Sequence, residues 1–212
     1  MYMPAHFEET RPEVLHALLR AHPLATWVVQ SGAGLLVNHI PFLIDPDRGP
    51  HGTLVGHVAR ANPVWRSLGA SVAVFQGAQA YISPSWYPSK REHGKVVPTW
   101  NYAVVHAHGT PRAIESRDDV LAIVTRLTQT HEADSAVPWQ VSDAPPDYID
   151  QMLKAIVGIE IPIERWVGKW KVSQNRSAPD RLGTVAGLQQ RGDAQTLAMA
   201  ALVPTASAKA SP

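Results

Sequence analysis

The chain has 212 residues, enough for one sizeable core, with 45% hydrophobic and only 17% charged residues, against about 25% charged in an average domain. A net charge of +1 with histidines neutral gives no basic footprint for nucleic acid. The absence of cysteine excludes disulfides, thiolate nucleophiles and cysteine-bound metal centres. So little charge also hints that another subunit covers part of the surface, so a homodimer is expected.

Met1 to Arg11 carries Glu8 and Glu9 and no apolar segment, so it does not read as a signal peptide. No run reaches the ~20 apolar residues of a membrane span, and a cytoplasmic location without membrane contact is the expectation. Pro12 to Leu19 reads as a short helix, with Leu15, Leu18 and Leu19 on one face. Leu24 to Val29 and Leu35 to Ile44 form a hairpin across Ser31-Gly32-Ala33-Gly34. A Pro- and Gly-rich loop over 45–52 precedes a strand at Thr53 to Val58. Asn62 then caps a short helix opened by Pro63. Ser71 to Phe75 and Ala80 to Ser83 read as two strands around Gln76-Gly77. Pro84 to Pro98 reads as an ordered loop, because two adjacent large aromatics, Trp86 and Tyr87, are rarely both left in water. Thr99 to Ile114 is the longest strand pattern. Asp118 to Thr130 is an amphipathic helix with Val120, Ile123, Val124 and Leu127 on one face. A helical turn at Tyr148 to Ala155 and a strand over Ile156 to Val167, interrupted at Pro162, follow. Ser177 to Arg191 is the last predicted helix, and an Ala-, Thr- and Ser-rich tail from 193 to 212 is expected to be disordered. Sequential short strands with tight turns give a mixed β-plus-α class, an antiparallel barrel decorated by peripheral helices, in one domain over 1–192.

Four stretches are unusually polar for strands: Val37 to Phe42 with Asn38 and His39, Gly56 to Pro63 with His57, Arg60 and Asn62, Val97 to Tyr102 with Thr99, Trp100 and Asn101, and Gly168 to Arg176. A buried polar group without a partner costs about 1–3 kcal/mol, so such groups bond to each other or to a ligand. No Gly-x-Gly-x-x-Gly follows a strand, and neither a Walker loop nor Gly-x-Ser-x-Gly is present. His106 and His108 share a strand face and, with His131 and Glu132, are candidates for a metal or haem site.

At these segments the chain resembles the PaiB-type FMN-binding negative transcriptional regulators. The matching stretches are MYMPAHF (1–7), NHIPFLI (38–44), GHVARANPVW (56–65), FQGAQAYISPSWYPSK (75–90), VPTWNYAVVHAHG (97–109), LTQTHE (127–132), PWQVSDAP (138–145), IVGIEIPI (156–163) and KWKVSQNR (169–176). They run in order nearly end to end, stopping short of the tail after about Arg191. The resemblance implies a split β-barrel of antiparallel Greek-key type, dimeric, with FMN at the subunit interface, and a regulatory role with DNA as a possible partner.

An FMN site needs cations and N–H donors for the phosphate and donors plus apolar walls for the ring. Arg60 with the Asn62-Pro63 helix start is a phosphate candidate, and Lys169, Lys171 and Arg176 add charge. His39 and His57 stand in the polar strands, His39 alternatively as a barrel-wall residue and His57 with Arg60 as a structural pair. Thr99, Asn101, Ser173 and Gln174 are candidates for the ribityl chain or ring. Trp86, Trp100 and Trp170 are candidates to flank the isoalloxazine, or ordinary core. The basic segment Lys90-Arg91-Glu92-His93-Gly94-Lys95 reads as a solvated loop, or as a DNA or effector contact. Two functions stand beside the flavin-binding regulator: a flavin-dependent oxidoreductase and a haem-binding split-barrel protein.

Overall fold

A computed structural model describes residues 1–205. In chain order it contains β1 (Glu8–Glu9), α1 (Pro12–Ala21), β2 (Leu24–Ser31), β3 (Gly34–Pro41), β4 (Leu43–Asp45), β5 (Thr53–Ala59), β6 (Ser71–Ile82), α2 (Ser89–His93), β7 (Thr99–Gly109), β8 (Arg112–Ile114), α3 (Arg117–Glu132), α4 (Pro146–Lys154), β9 (Ile156–Pro162), β10 (Arg165–Lys171), α5 (Ala178–Arg191) and α6 (Ala194–Leu202). Single 3-10 turns stand at Ala5–Phe7, Pro63–Arg66, Pro84–Trp86 and Val141–Asp143.

The chain divides into two units. The first holds Met1–Leu18, Gln76–Val105 and Val167–Pro212, and the second Leu19–Phe75 and His106–Trp166. In the second, β2 pairs antiparallel with β3 from Leu24↔Pro41 to Ser31↔Gly34, and with β6 from Thr26↔Val74 to Val29↔Ser71. The period-two alternation of β2 buries Ala25, Trp27 and Val29 completely. A second sheet in this unit runs β4-β5-β9-β8. Ile123 and Leu127 of α3 cover its Val55. In the first unit the strand order is β1-β10-β7-β6. Its core gathers Ile82, Tyr87, Val172, Leu188, Met199 and Val203, with Trp86 and Trp170 packed against it.

Several expectations are corrected. The strand expected to end at Ile44 breaks at Phe42, whose amide donates to Pro23 O at 3.0 Å while its side chain is fully buried. The two strands expected around Gln76-Gly77 are one continuous β6. The expected strand over 99–114 splits at Pro111, beside which Thr110 bonds the Glu164 carboxylate through its amide and hydroxyl at 3.1 and 3.0 Å. The Trp86–Tyr87 loop is ordered as expected, but carries α2, whose Ser89 amide and hydroxyl both bond the buried Asp180 carboxylate. Disorder beginning at 193 is wrong. Asp193 caps α6 by accepting from the Thr196 amide at 3.0 Å, and Thr196, Met199 and Ala200 are buried. The boundary at 192 therefore falls inside the first unit, and the last seven tail residues, 206–212, lie outside the described residues.

Candidate functional site

The first unit brings together the polar residues of two distant segments. Thr99 to Tyr102 begin β7, and Lys169 to Gln174 end β10 and leave it. The Asn101 amide donates to the Ser173 hydroxyl at 2.8 Å, and both residues are buried. Gln174 closes a local loop, accepting from the Val172 amide at 2.8 Å and donating to Trp170 O. Ser173 holds φ at +66°, the one positive φ of a non-glycine among the described residues. Such a conformation costs about 1–3 kcal/mol and is kept where the surroundings over-determine it, often at ligand sites.

Lys169 and Lys171 are two apart on β10 and so share a face. The Lys171 ammonium donates to Thr99 Oγ1 and to Trp100 O. Burial, then the neighbouring Lys169 and Arg176, lower its pKa from the ordinary lysine value. Lys169 is only 6% exposed. Its ammonium donates to Tyr2 O at 2.9 Å and lies 5.8 and 5.5 Å from the Tyr2 and Tyr102 ring centres. Arg176 sits 5.0 Å over the Tyr87 ring. Among the described residues none of these three cations pairs with a carboxylate. Among the described residues the first unit carries nine Lys and Arg against six Asp and Glu, the second nine against twelve. The near-neutral chain thus hides a cationic unit, and a cluster of unpaired cations within it has the chemistry to hold an anion.

Beside these cations stands an exposed aromatic pair. Trp100 and Tyr81 meet edge to face at 6.3 Å and are 49% and 40% exposed, and the Trp100 indole N–H donates to Gln79 Oε1 at 3.2 Å. Of the three tryptophans expected as ring walls, Trp100 alone has an exposed ring. Trp170 packs on the core, and Trp86 fills the notch left by Gly183 and Gly187 on α5. Sequence reasoning missed Gln79, Tyr81, Tyr102 and Tyr2. The alternation of β7 would have placed Tyr102 with Trp100. Tyr2 depends on the pairing of β1 with β10, Glu8↔Lys169, which no local pattern carries.

The second unit holds Arg60, Asn62, His57 and His39 among the remaining candidates, and Arg60 and Asn62 are engaged with their surroundings there. Arg60 donates to Lys154 O at 2.9 Å, Ile156 O at 3.2 Å and Glu115 at 2.7 Å, and its guanidinium lies 5.5 Å from the Trp65 ring centre. Asn62 caps the Pro63–Arg66 turn by accepting from the Val64 amide at 3.0 Å, and donates to Asn38 at 2.7 Å. His57 has a buried Nδ1 without a hydrogen-bond partner, and burial lowers its pKa from the ordinary histidine value. His39 is exposed on β3, opposite Thr26. His106 and His108 stand 6.1 Å apart with pKa values lowered, chiefly by burial. Among the described residues no group of three or more His, Asp or Glu is placed to hold a metal, and no helix is long and apolar enough to cross a membrane.

The family model described as Putative FMN-binding domain matches residues 1–165. Protease synthase and sporulation protein PAI 2 of Bacillus subtilis (strain 168) is 32% identical over 208 residues, covering 96% of each chain. The FAD and Heme binding protein from Mycobacterium smegmatis aligns with a TM-score of 0.59 at 17% identity, over 77% of this chain and 73% of that one. The flavocytochrome Anf3 from Azotobacter vinelandii aligns with a TM-score of 0.57 at 14% identity, over 80% and 72%. These likenesses show the fold, a split barrel with antiparallel sheets and peripheral helices.

Proposed function

This chain belongs to the Putative FMN-binding domain family, and from that premise we propose that it holds FMN through the cationic cluster of its first unit. FMN is the cofactor that the family assigns. The observation carrying the placement is that Lys169, Lys171 and Arg176 gather without a carboxylate partner. Beside them stand the exposed Trp100 ring and the polar groups of Thr99, Asn101, Ser173 and Gln174. The lysines and Arg176 take the phosphate, and Trp100 lies against the isoalloxazine. Arg60 and Asn62, engaged within the second unit, hold structure, and Trp170 packs on the core of the first. When bound, FMN supplies electron or hydride exchange at its ring.

Each charge-assisted hydrogen bond to phosphate contributes about 1.5–3 kcal/mol, or roughly one to two decades of affinity. Lys169→Met and Lys171→Met should each weaken FMN by about tenfold to a hundredfold while leaving riboflavin, which lacks the phosphate, unchanged. FMN binding at wild-type strength in both variants would place the phosphate elsewhere.

The protein acts as a homodimer in this reading. The outer face of β3 and β2 presents Leu35, Val37, His39 and Pro41 beside Leu24, Thr26, Val28 and Gln30, without one charged residue. Leu35, Leu24 and Val37 are 67%, 62% and 57% exposed in the single chain. Light scattering is expected to give twice the chain mass; a monomer would remove this part of the proposal. A flavin-responsive regulator that touches DNA is the second reading. Lys90, Arg91 and Lys95 around α2 favour it, because none of them pairs with a carboxylate among the described residues. A gel shift at a neighbouring promoter that weakens steeply with salt would support it.

A further inference from the structure

We propose that the cavity between α3, the Val141–Asp143 turn and the start of α4, wholly inside the second unit, is a second ligand site for a small uncharged molecule with an apolar body and hydrogen-bonding groups. The cavity measures about 410 Å³. It is a half-open pocket at the surface, with a volume in the range of small-molecule sites, which begins at about 300 Å³.

The lining says what it would take. Leu121, Val141 and Ile149 form apolar walls. Thr125, Thr128 and Ser142 face the same space, and their side chains make no hydrogen bond among the described residues. The single ionic group in the lining, Arg117, is neutralised by Asp150 and Asp118. A charged ligand would find no free side-chain charge of opposite sign in the lining to offset the hydration it gives up. A neutral ligand meets apolar walls and unengaged hydroxyls. Two other cavities in this unit differ on this point. One of about 610 Å³ is lined by Arg20, Arg126, His131 and Asp134, and one of about 380 Å³ by Arg48, Asp119, Arg126 and Glu160. Both carry charges of both signs, which water satisfies well.

The walls are also fixed. The Trp139 amide donates to the Glu132 carboxylate at 3.1 Å, and the Gln140 amide to Asp143 at 2.9 Å. These bonds fasten the segment after α3 onto the cavity rim. The Arg117–Asp150 pair ties α3 to α4 at one end. At the other end of α4, Arg60 grips Lys154 O and Ile156 O. None of this depends on where flavin binds.

The test uses the full chain and a pair of probes matched in shape, neutral 2-naphthamide and anionic 2-naphthoate. Amide shifts in nuclear magnetic resonance spectra report each titration. The expected result is saturable shifts at Leu121, Thr125, Val141 and Ile149 with 2-naphthamide, with naphthoate weaker by about tenfold or more. Ala144→Phe, which fills the cavity from the loop side, should weaken 2-naphthamide by a similar factor. Thr125→Phe, which fills it from α3, should do the same, so the outcome does not hang on the folding of one variant. No saturable binding to the wild type, equal binding of the two probes, or undiminished binding in both filled variants would overturn the proposal.

Discussion

Ending the chain after Gly192 removes α6, and the structure gives the size of the effect. Met199 is fully buried and Val203 is 4% exposed, both packed among Ile82, Tyr87 and Leu188. Burying two such apolar side chains contributes about 1.5–3 kcal/mol each, and their loss also uncovers Leu188, which is fully buried. Truncation should therefore cost about 3–6 kcal/mol, a large fraction of the ~5–15 kcal/mol that holds a domain together. Met199→Ala isolates the main contact at about 2–5 kcal/mol. At about 2–4 °C per kcal/mol for a chain of this size, it should lower Tm by roughly 4–20 °C. Leu197→Ala serves as the control, since Leu197 on the same helix is 46% exposed. Thermal melts followed by circular dichroism read all three proteins. If Met199→Ala and the truncated chain both melt within about 2 °C of wild type, α6 does not dock and the core assignment of the first unit is wrong.

Gly183→Ala should destabilise the protein although alanine favours a helix by about 1 kcal/mol, because a Cβ there would stand 2.0 Å from Trp86 O; a rise in Tm would show that the Trp86 loop yields. Arg60→Ala should cost about 1–3 kcal/mol through the carbonyls and carboxylate it leaves behind, with FMN affinity unchanged. A weakened FMN complex at normal stability would return Arg60 to the phosphate site. His57, His106 and His108 have pKa values lowered from the model-compound 6.5, chiefly by burial. The unfolded chain then binds more protons between the folded values and 6.5, so stability is complete above pH 6.5 and declines as pH falls below it. His57→Gln should reduce that slope in melts from pH 7.5 to about 5; an unchanged slope would show that His57 does not contribute to it.

Much of the fold was legible because local chemistry set it. Pro12, Asn62-Pro63 and Ser177 open their helical segments where expected, and Asn62 and Ser177 accept the capping amides. The alternation of β2 and the 3.6-residue stripe of α3 place Trp27 and Ile123 in cores. The misreadings have physical causes as well. Glycine at Gly77 looked like a strand break, but β6 runs on through it, and Leu18 Cδ1 packs against the space its missing Cβ leaves, 2.9 Å from where a Cβ would stand. The Ala-rich tail looked disordered because α6 is too uniformly small to show a stripe, yet Met199 supplies the anchor. At the candidate site, the segments were visible as misplaced polarity in strands. Which cations lacked a carboxylate partner was not, since the Glu115 partner of Arg60 lies 55 residues away in sequence. Likewise the Tyr2 carbonyl lies 167 residues from Lys169.

The central claim, an FMN phosphate held by unpaired cations of the first unit, is tested most directly by titrating the wild-type protein in parallel with FMN and riboflavin and following flavin fluorescence. The account predicts saturable binding of one FMN per chain, with riboflavin weaker by at least about tenfold, the equivalent of one charge-assisted phosphate contact. Equal affinity for the two flavins, or no binding of FMN, would contradict it.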